Sequence, residues 1–245
     1  MNSSGSSTAT ASLIITTRNR GPQLRSGLAS IAARGYRDLE CILVDDDSWD
    51  PETAEVIALH PWLQVVRMGE NHHDYRRRPG RVMNVGHAKA TGEVHLEQSA
   101  EVVHLTDCVT PLVAACRPGV MVLATVLNGS VEELAAVERE VAAGAALPPD
   151  ADSRVPGFDL DHGTSVNRRQ RIGAVDVEVY CGAGRPTPYM FLGALHRDDW
   201  RQLGGYDEGC PHPHDWDLAR RFMAAGGTFR WIGRALTFHL RHGKV

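Results

Sequence analysis

Two short apolar runs that break off abruptly into charged residues constrain this chain more than any other feature. Ser12-Leu13-Ile14-Ile15-Thr16-Thr17 ends in Arg18-Asn19-Arg20, and Glu40-Cys41-Ile42-Leu43-Val44 ends in Asp45, Asp46 and Asp47. Aliphatic, β-branched runs without polar alternation mark strands covered on both faces, as in parallel sheets. Between them, Gly21-Pro22 opens a helical period through Leu24, Leu28, Ile31 and Ala32 that stops near Gly35. Strand, helix and strand form a βαβ unit, and its right-handed crossover puts both strand ends on one rim of a sheet.

The alternation continues down the chain. A helix is expected over Pro51 to Leu59, a strand near Leu63 to Arg67, a helix near Met83 to Thr91 and a strand at Glu93 to Leu96. Further on, the pattern predicts a helix from Val131 to Ala145, a strand from Phe191 to Leu195 and a helix from Leu218 to Ala225 that stops at Gly226-Gly227. From Leu147 to about Pro188 the periodicity is weak and Pro, Asp, Gly and Arg are frequent, which is the composition of a binding loop or lid. A chain of 245 residues with this pattern is expected to fold as one α/β domain.

Composition narrows the partners. The net charge of −4 offers no general attraction to polyanions, so nucleic acid is not an expected partner and any anion site must be local. Five scattered cysteines with no C-x-x-C pair fit a reducing compartment, and a cytoplasmic protein is expected. Residues 1–11 lack the basic and apolar regions of a signal peptide and are read as a disordered tail, with the folded domain spanning 12–245. No stretch approaches a bilayer span, so the chain is not expected to be membrane-integral.

Open α/β sheets bind ligands where their strand ends diverge, which marks the first half of the chain as a nucleotide site. Neither G-x-G-x-x-G nor G-x-x-x-x-G-K-[ST] is present to make it a dinucleotide or P-loop site. Asp46, at the second strand end, is placed to accept from a base imide, with Thr16 and Arg18 at the first strand end beside it. Arg76, Arg77, Arg78 and Arg81 form the one dense basic cluster, and guanidinium forks suit phosphate oxygens.

Three segments together resemble the family 2 inverting glycosyltransferases, over nearly the whole chain. SLIITTRNR is similar to the family's S-V-I-I-P-T-Y-N-R, and ECILVDDDSWD to its strand ending in V-D-D-G-S. The run from Gly193 to Leu218, GALHRDDWRQLGGYDEGCPHPHDWDL, resembles its strand, R-x-x-(aromatic) helix start, G-G-F-D-E turn and E-D-x-D-L helix start. The resemblance implies a GT-A fold, with a mostly parallel sheet flanked by helices. It further implies a nucleotide-binding half at residues 12–105 and an acceptor and catalytic half at 106–245.

The same resemblance assigns roles. It implies Asp215 as the base that takes the acceptor's proton, the alternative for this residue being a helix cap. Arg78, then Arg81, would contact the nucleotide. The metal-binding D-x-D falls on Ser99-Ala100-Glu101, so the first acid is replaced by Ser99, counted here with the nucleotide contacts, and Glu101 survives as a hard oxygen ligand. His239 matches a late histidine that completes the metal site, with His242 as a second candidate, and Mn²⁺ or Mg²⁺ is the implied cofactor. His214 stands where the family has Glu; His214 and Trp216 are candidate acceptor contacts, as is Trp200, and each tryptophan is equally readable as core. The implied reaction moves a sugar from a nucleoside-diphosphate sugar, UDP or dTDP first, to a hydroxyl-bearing acceptor such as a glycan, lipid carrier, protein or natural product. The alternative is a degenerate GT-A domain that binds a sugar nucleotide or a partner protein without catalysis.

Overall fold

The computed structural model describes residues 10–69, 79–153, 168–183, 188–210 and 214–242. Its first half alternates strictly, with β1 (Ala11–Thr17), α1 (Gly21–Arg34), β2 (Leu39–Asp45), α2 (Pro51–Ala58), β3 (Gln64–Arg67), α3 (Pro79–Lys89) and β4 (Val94–Ser99). Successive residues of a strand face opposite sides. Leu13, Ile15 and Leu43 pack with Leu24, Leu28 and Ile31 of α1 and Val56 of α2, whereas Ile14, Ile42 and Val44 pack with Val82 of α3. Helices therefore cover both faces, which is why these strands carry no polar alternation. The helix ends follow local chemistry: α1 stops at Gly35 in the left-handed region, φ 59°, and α2 starts where the Asp50 side chain accepts from Thr53 N at 2.8 Å. Gly86 lets α3 ride close on β1, because a Cβ there would lie 2.3 Å from Ile14 Cγ2.

The second half begins with β5 (Val102–His104), α4 (Val109–Ala115), β6 (Val120–Gly129), α5 (Val131–Ala142) and β7 (Ala151–Ser153). It continues with β8 (Arg168–Ile172), β9 (Val175–Cys181), β10 (Leu192–His196), α6 (Arg197–Leu203), α7 (His214–Ala224) and β11 (Thr228–Leu240). A capping box of Ser130 and Glu133 starts α5. Among the described residues all strands belong to one 11-stranded sheet whose main path runs β3-β2-β1-β4-β10-β6-β11-β5.

Strands β3, β2, β1 and β4 are parallel, but β10 is antiparallel to both β4 and β6, and β5, β7 and β9 pair antiparallel as well. The sheet is thus mixed rather than mostly parallel, because strands after β4 are joined by a returning β10 and by short connections as well as by helical crossovers. Two further expectations are corrected. Ala11 is paired in β1 and buried, so the last residue of the segment read as tail belongs to the sheet. Within the Leu147 to Pro188 stretch read as irregular, residues 154–167 and 184–187 lie outside the described residues, but the described parts carry β7, β8 and β9: in β9 Val177, Val179 and Cys181 are buried between half-exposed neighbours, a period-2 signal that the abundant polar residues around it mask.

The consequence for function is a crowded rim. Thr17 lies beside Asp45 and Thr16 beside Ser99, so β1, β2 and β4 end together. Because β10 runs the other way, its start, Leu192, pairs with Gln98 at the same rim. β6 and β11 run parallel to each other, and they bring Asn128 and His239 there as neighbours.

Candidate active site

The loops that follow β1 and β2 lock into each other. Asn19, at φ 51°, accepts from Trp49 N at 2.8 Å and Asp50 N at 3.2 Å, and its own N–H donates to Ser48 Oγ at 2.9 Å. Asp46 is buried, and Arg18 Nη1 donates to its carbonyl at 2.9 Å and to its Oδ2 at 3.1 Å. The Arg18 guanidinium in turn sits over the Trp49 ring, 5.1 Å from the centroid, while Trp49 remains 69% exposed. Asp45 serves the turn, accepting from Ser48 N at 3.0 Å, and Asp47 takes φ 58°.

A second group forms where β4 turns into β5. His239 pairs with Val102 across β5 and β11, and Leu240 N donates to the Glu101 carbonyl at 3.0 Å, so Glu101 is carried next to His239. Glu101, His239 and His242 each offer a ligand atom, all within 4.8 Å of one another. Burial pulls the His239 pKa down to about 4, with Glu101 acting in the opposite direction, so the imidazole is neutral and able to ligate near pH 7. Arg20 Nε donates to Glu101 Oε1 at 2.6 Å, and His242 Nε2 lies 3.3 Å from the same oxygen. A carboxylate has about four lone-pair sites, so this oxygen's partners leave Oε2 for a cation. Carboxylate and imidazole at this spacing fit a divalent transition metal, and two imidazoles suit Mn²⁺ better than Mg²⁺, which prefers oxygen.

The third group is the start of α7. Asp215 lies in the first helical turn and its Oδ2 accepts from Met190 N at 3.3 Å. This bond ties the start of α7 to the strip before β10. Trp216 is buried, edge-on to Tyr189 with ring centroids 5.9 Å apart. Asp217 pairs with Arg221 at 2.8 Å, and Arg221 also caps the carbonyls of Leu203 and Gly205, which fixes α7 against the preceding turn.

One strip of chain, Tyr189 to Phe191, touches the second and third of these groups. Met190 N meets Asp215, the Phe191 carbonyl accepts from Ser99 N at 3.1 Å, and the Phe191 ring lies 4.8 Å from that of His239. Expected residues Thr16, Arg18, Asp46, Ser99, Glu101, His239 and Asp215 are therefore all at one rim. Arg81 is half-buried in the first turn of α3, three residues before Asn84, which bonds Tyr206 through both ends of its amide, at 2.9 and 3.0 Å. Arg78 and the side chain of His214 lie outside the described residues. Trp200 is core: it stacks on His87 with centroids 3.6 Å apart and is 9% exposed.

Residues beyond those expected are Arg20, Trp49 and Asn128. Asn128 carries the signal that marked Asp46, a polar side chain ending a buried strand. Arg20 is the last residue of the same TTRNR run that pointed to Arg18.

A mixed sheet with helices on both faces and an acid-bearing rim at the strand ends is the architecture of GT-A sugar-nucleotide transferases. The sequence matches the model of glycosyl transferase family 2 over residues 12–160, more than half of the chain, and the protein belongs to that family. Among solved structures it is similar to GalNAc-T7 with UDP, GalNAc and Mn²⁺, at TM-score 0.60 and 19% identity over 97% of this chain and 45% of that one. It is similar also to the mannosyltransferase PcManGT from Pyrobaculum calidifontis in complex with GDP-Man and Mn²⁺, at TM-score 0.57 and 16% identity over 96% of this chain and 58% of that one. The chain thus spans about half the length of these two proteins, and at such identities the likeness speaks for the fold. No curated protein sequence matches it. Among the described residues, no helix is long and apolar enough to cross a membrane.

Proposed function

We propose that this protein is an inverting glycosyltransferase that moves a sugar from a nucleoside-diphosphate sugar, UDP or dTDP first, to an acceptor hydroxyl. The observation that supports it best is the Tyr189 to Phe191 strip, which carries a carboxylate, Asp215, and a cation-ready Glu101, His239 and His242 group on either side of a single short segment. Residues up to about 105 serve the donor, and the rest supply the acceptor side and the base.

In this reading the Asp46 carboxylate accepts from the base imide, and Arg18 holds it in place. The exposed Trp49 ring, already fixed by Arg18 and by Asn19, gives the base a surface to stack on; such stacking is worth about 1–3 kcal/mol. Arg81 and Arg78 reach for phosphate oxygens. A divalent metal, Mn²⁺ by its donors, bound at Glu101, His239 and His242 would neutralise charge on the departing diphosphate. Arg20, whose Nε donates to Glu101 Oε1, holds that carboxylate in place. Asp215 takes the proton from the acceptor oxygen, within reach of the sugar carbon opposite the leaving group.

The test is a panel of nucleotide sugars with Mn²⁺ or EDTA, with the product anomer read by NMR and wild type compared with Asp215→Asn. Metal-dependent transfer with inversion, abolished by the substitution, is expected. Retention of configuration or full activity in Asp215→Asn overturns the base assignment, and nucleotide binding without turnover of any donor would make this a binding domain.

A further inference from the structure

Asn128 stands in a row of three side chains across three strands. The register pairs it with His239 of β11 on one side and with Glu178 of β9 on the other. Both neighbours bond its amide: Nδ2 donates to Glu178 Oε2 at 2.6 Å, and Oδ1 lies 3.1 Å from His239 Nδ1. Asn128 is 1% exposed and His239 6%, so neither bond is exchanged readily for water.

Elementary donor and acceptor counting then settles the protons. A carboxylate only accepts, so the amide's NH₂ end must face Glu178 and its oxygen must face His239. That oxygen only accepts as well, so His239 Nδ1 must carry a hydrogen. In a neutral imidazole the bare lone pair is then on Nε2. Glu178 is itself ion-paired with Arg241, whose Nη2 donates to Oε2 at 3.3 Å.

We infer that Asn128 and Glu178 are positioning residues, which set the tautomer of His239 so that Nε2 is the nitrogen offered to a divalent cation beside Glu101 and His242. This rests on the metal reading proposed above and adds to it the two residues that make the histidine a ligand. Partners behind a ligating histidine orient the ring and raise its basicity, and losing them typically costs about 10–100-fold in metal affinity. Glu178 lies in the stretch whose composition suggested a loop, so the sheet edge built by β9 is what brings this partner to the site.

Two readouts test it. In ¹⁵N-labelled protein without metal, the two-bond imidazole correlations of His239 should show the Nδ1–H form; an Nε2–H form overturns the inference. Mn²⁺ binding, followed through the electron paramagnetic resonance of the free ion, should weaken about 10–100-fold in Glu178→Gln, where the new amide can donate or accept and lets Asn128 turn over. Asn128→Leu should weaken it at least as much, and the milder Glu178→Gln covers the case in which the leucine variant does not fold. Wild-type Mn²⁺ affinity retained in both variants breaks the positioning role alone, whereas a wild type that binds no Mn²⁺ breaks the metal reading beneath it.

Discussion

The molecule contains two clusters of the same residue types, histidine and glutamate, with opposite relations to solvent. In the closed one, Glu97 accepts from the Tyr206 hydroxyl at 2.5 Å and lies 2.6 Å from His87 Nε2, and His87 Nδ1 lies 2.8 Å from His95 Nδ1. All four residues are 3% exposed or less. In the open one, Glu101 and His239 are nearly as buried, but His242 keeps a quarter of its side chain in solvent. The closed cluster spends most of its donors and acceptors on itself, His95 Nε2 being the exception, and ties α3, β4 and the turn before α7 together. The open cluster gathers ligand atoms of Glu101, His239 and His242 at the rim where the strands end, with His242 Nε2 3.3 Å from Glu101 Oε1. Residue type alone therefore does not make a site; what matters is whether the group is sealed in the core or reaches solvent at the rim.

The comparison breaks most visibly at Glu97. Glu97→Leu leaves the Tyr206 hydroxyl and a histidine buried without their carboxylate, at a cost of about 3–5 kcal/mol. The melting temperature should fall by about 10 °C, since each kcal/mol moves a domain of this size by about 2–4 °C. Mn²⁺ affinity of the folded fraction should hold; its loss alongside would mean that the clusters are not independent. Glu101→Ala should do the reverse, lowering Mn²⁺ affinity and donor turnover by on the order of 100-fold while calorimetry finds the fold within about 1 kcal/mol of wild type. Trp49→Ala should raise the nucleotide Kd about 5–150-fold by isothermal titration, the stacking equivalent of about 1–3 kcal/mol, and leave Mn²⁺ binding without nucleotide unchanged.

Acid should act on the buried histidines. Burial, followed by the neighbouring His87, lowers the His95 pKa to about 3, and burial lowers that of His104 to about 3. Below the ordinary histidine pKa the unfolded chain binds protons that the native state refuses. Stability is therefore complete above about pH 6.5 and declines as pH falls from there towards 3, by up to about tenfold in the unfolding equilibrium per pH unit for each histidine. Denaturant midpoints across this range check the slope; a flat profile would mean that these imidazoles reach protons without unfolding.

Much of the rim was legible in the sequence because the strands that build its first half advertise themselves. Buried parallel strands such as β1 and β2 are uniformly apolar, so the polar residues that follow them, Arg18 and Asp46, stand out, whereas Ser99 ends a strand that carries His95, Glu97 and Gln98 and was marked only by the family resemblance. The same physics was present in β6, whose Val120 to Gly129 run ends in Asn128, but without an obvious helical partner on each side it did not read as part of the alternation. Glu178 was hidden for another reason. β9 buries only one face, and its alternating Val177, Val179 and Cys181 are diluted by charges that belong to the open face. Pairings such as His239 with Val102, which deliver Glu101 to the histidines, join residues more than a hundred positions apart and leave no local trace.

The central claim is that the open cluster binds a cation that a nucleotide needs. Calorimetric titration of UDP and of GDP into wild type and Glu101→Gln, each with Mn²⁺ and with EDTA, tests it most directly. The account predicts binding by the wild type that depends on Mn²⁺ and is lost in the variant; binding that is equally tight in EDTA, or unchanged in Glu101→Gln, would contradict it.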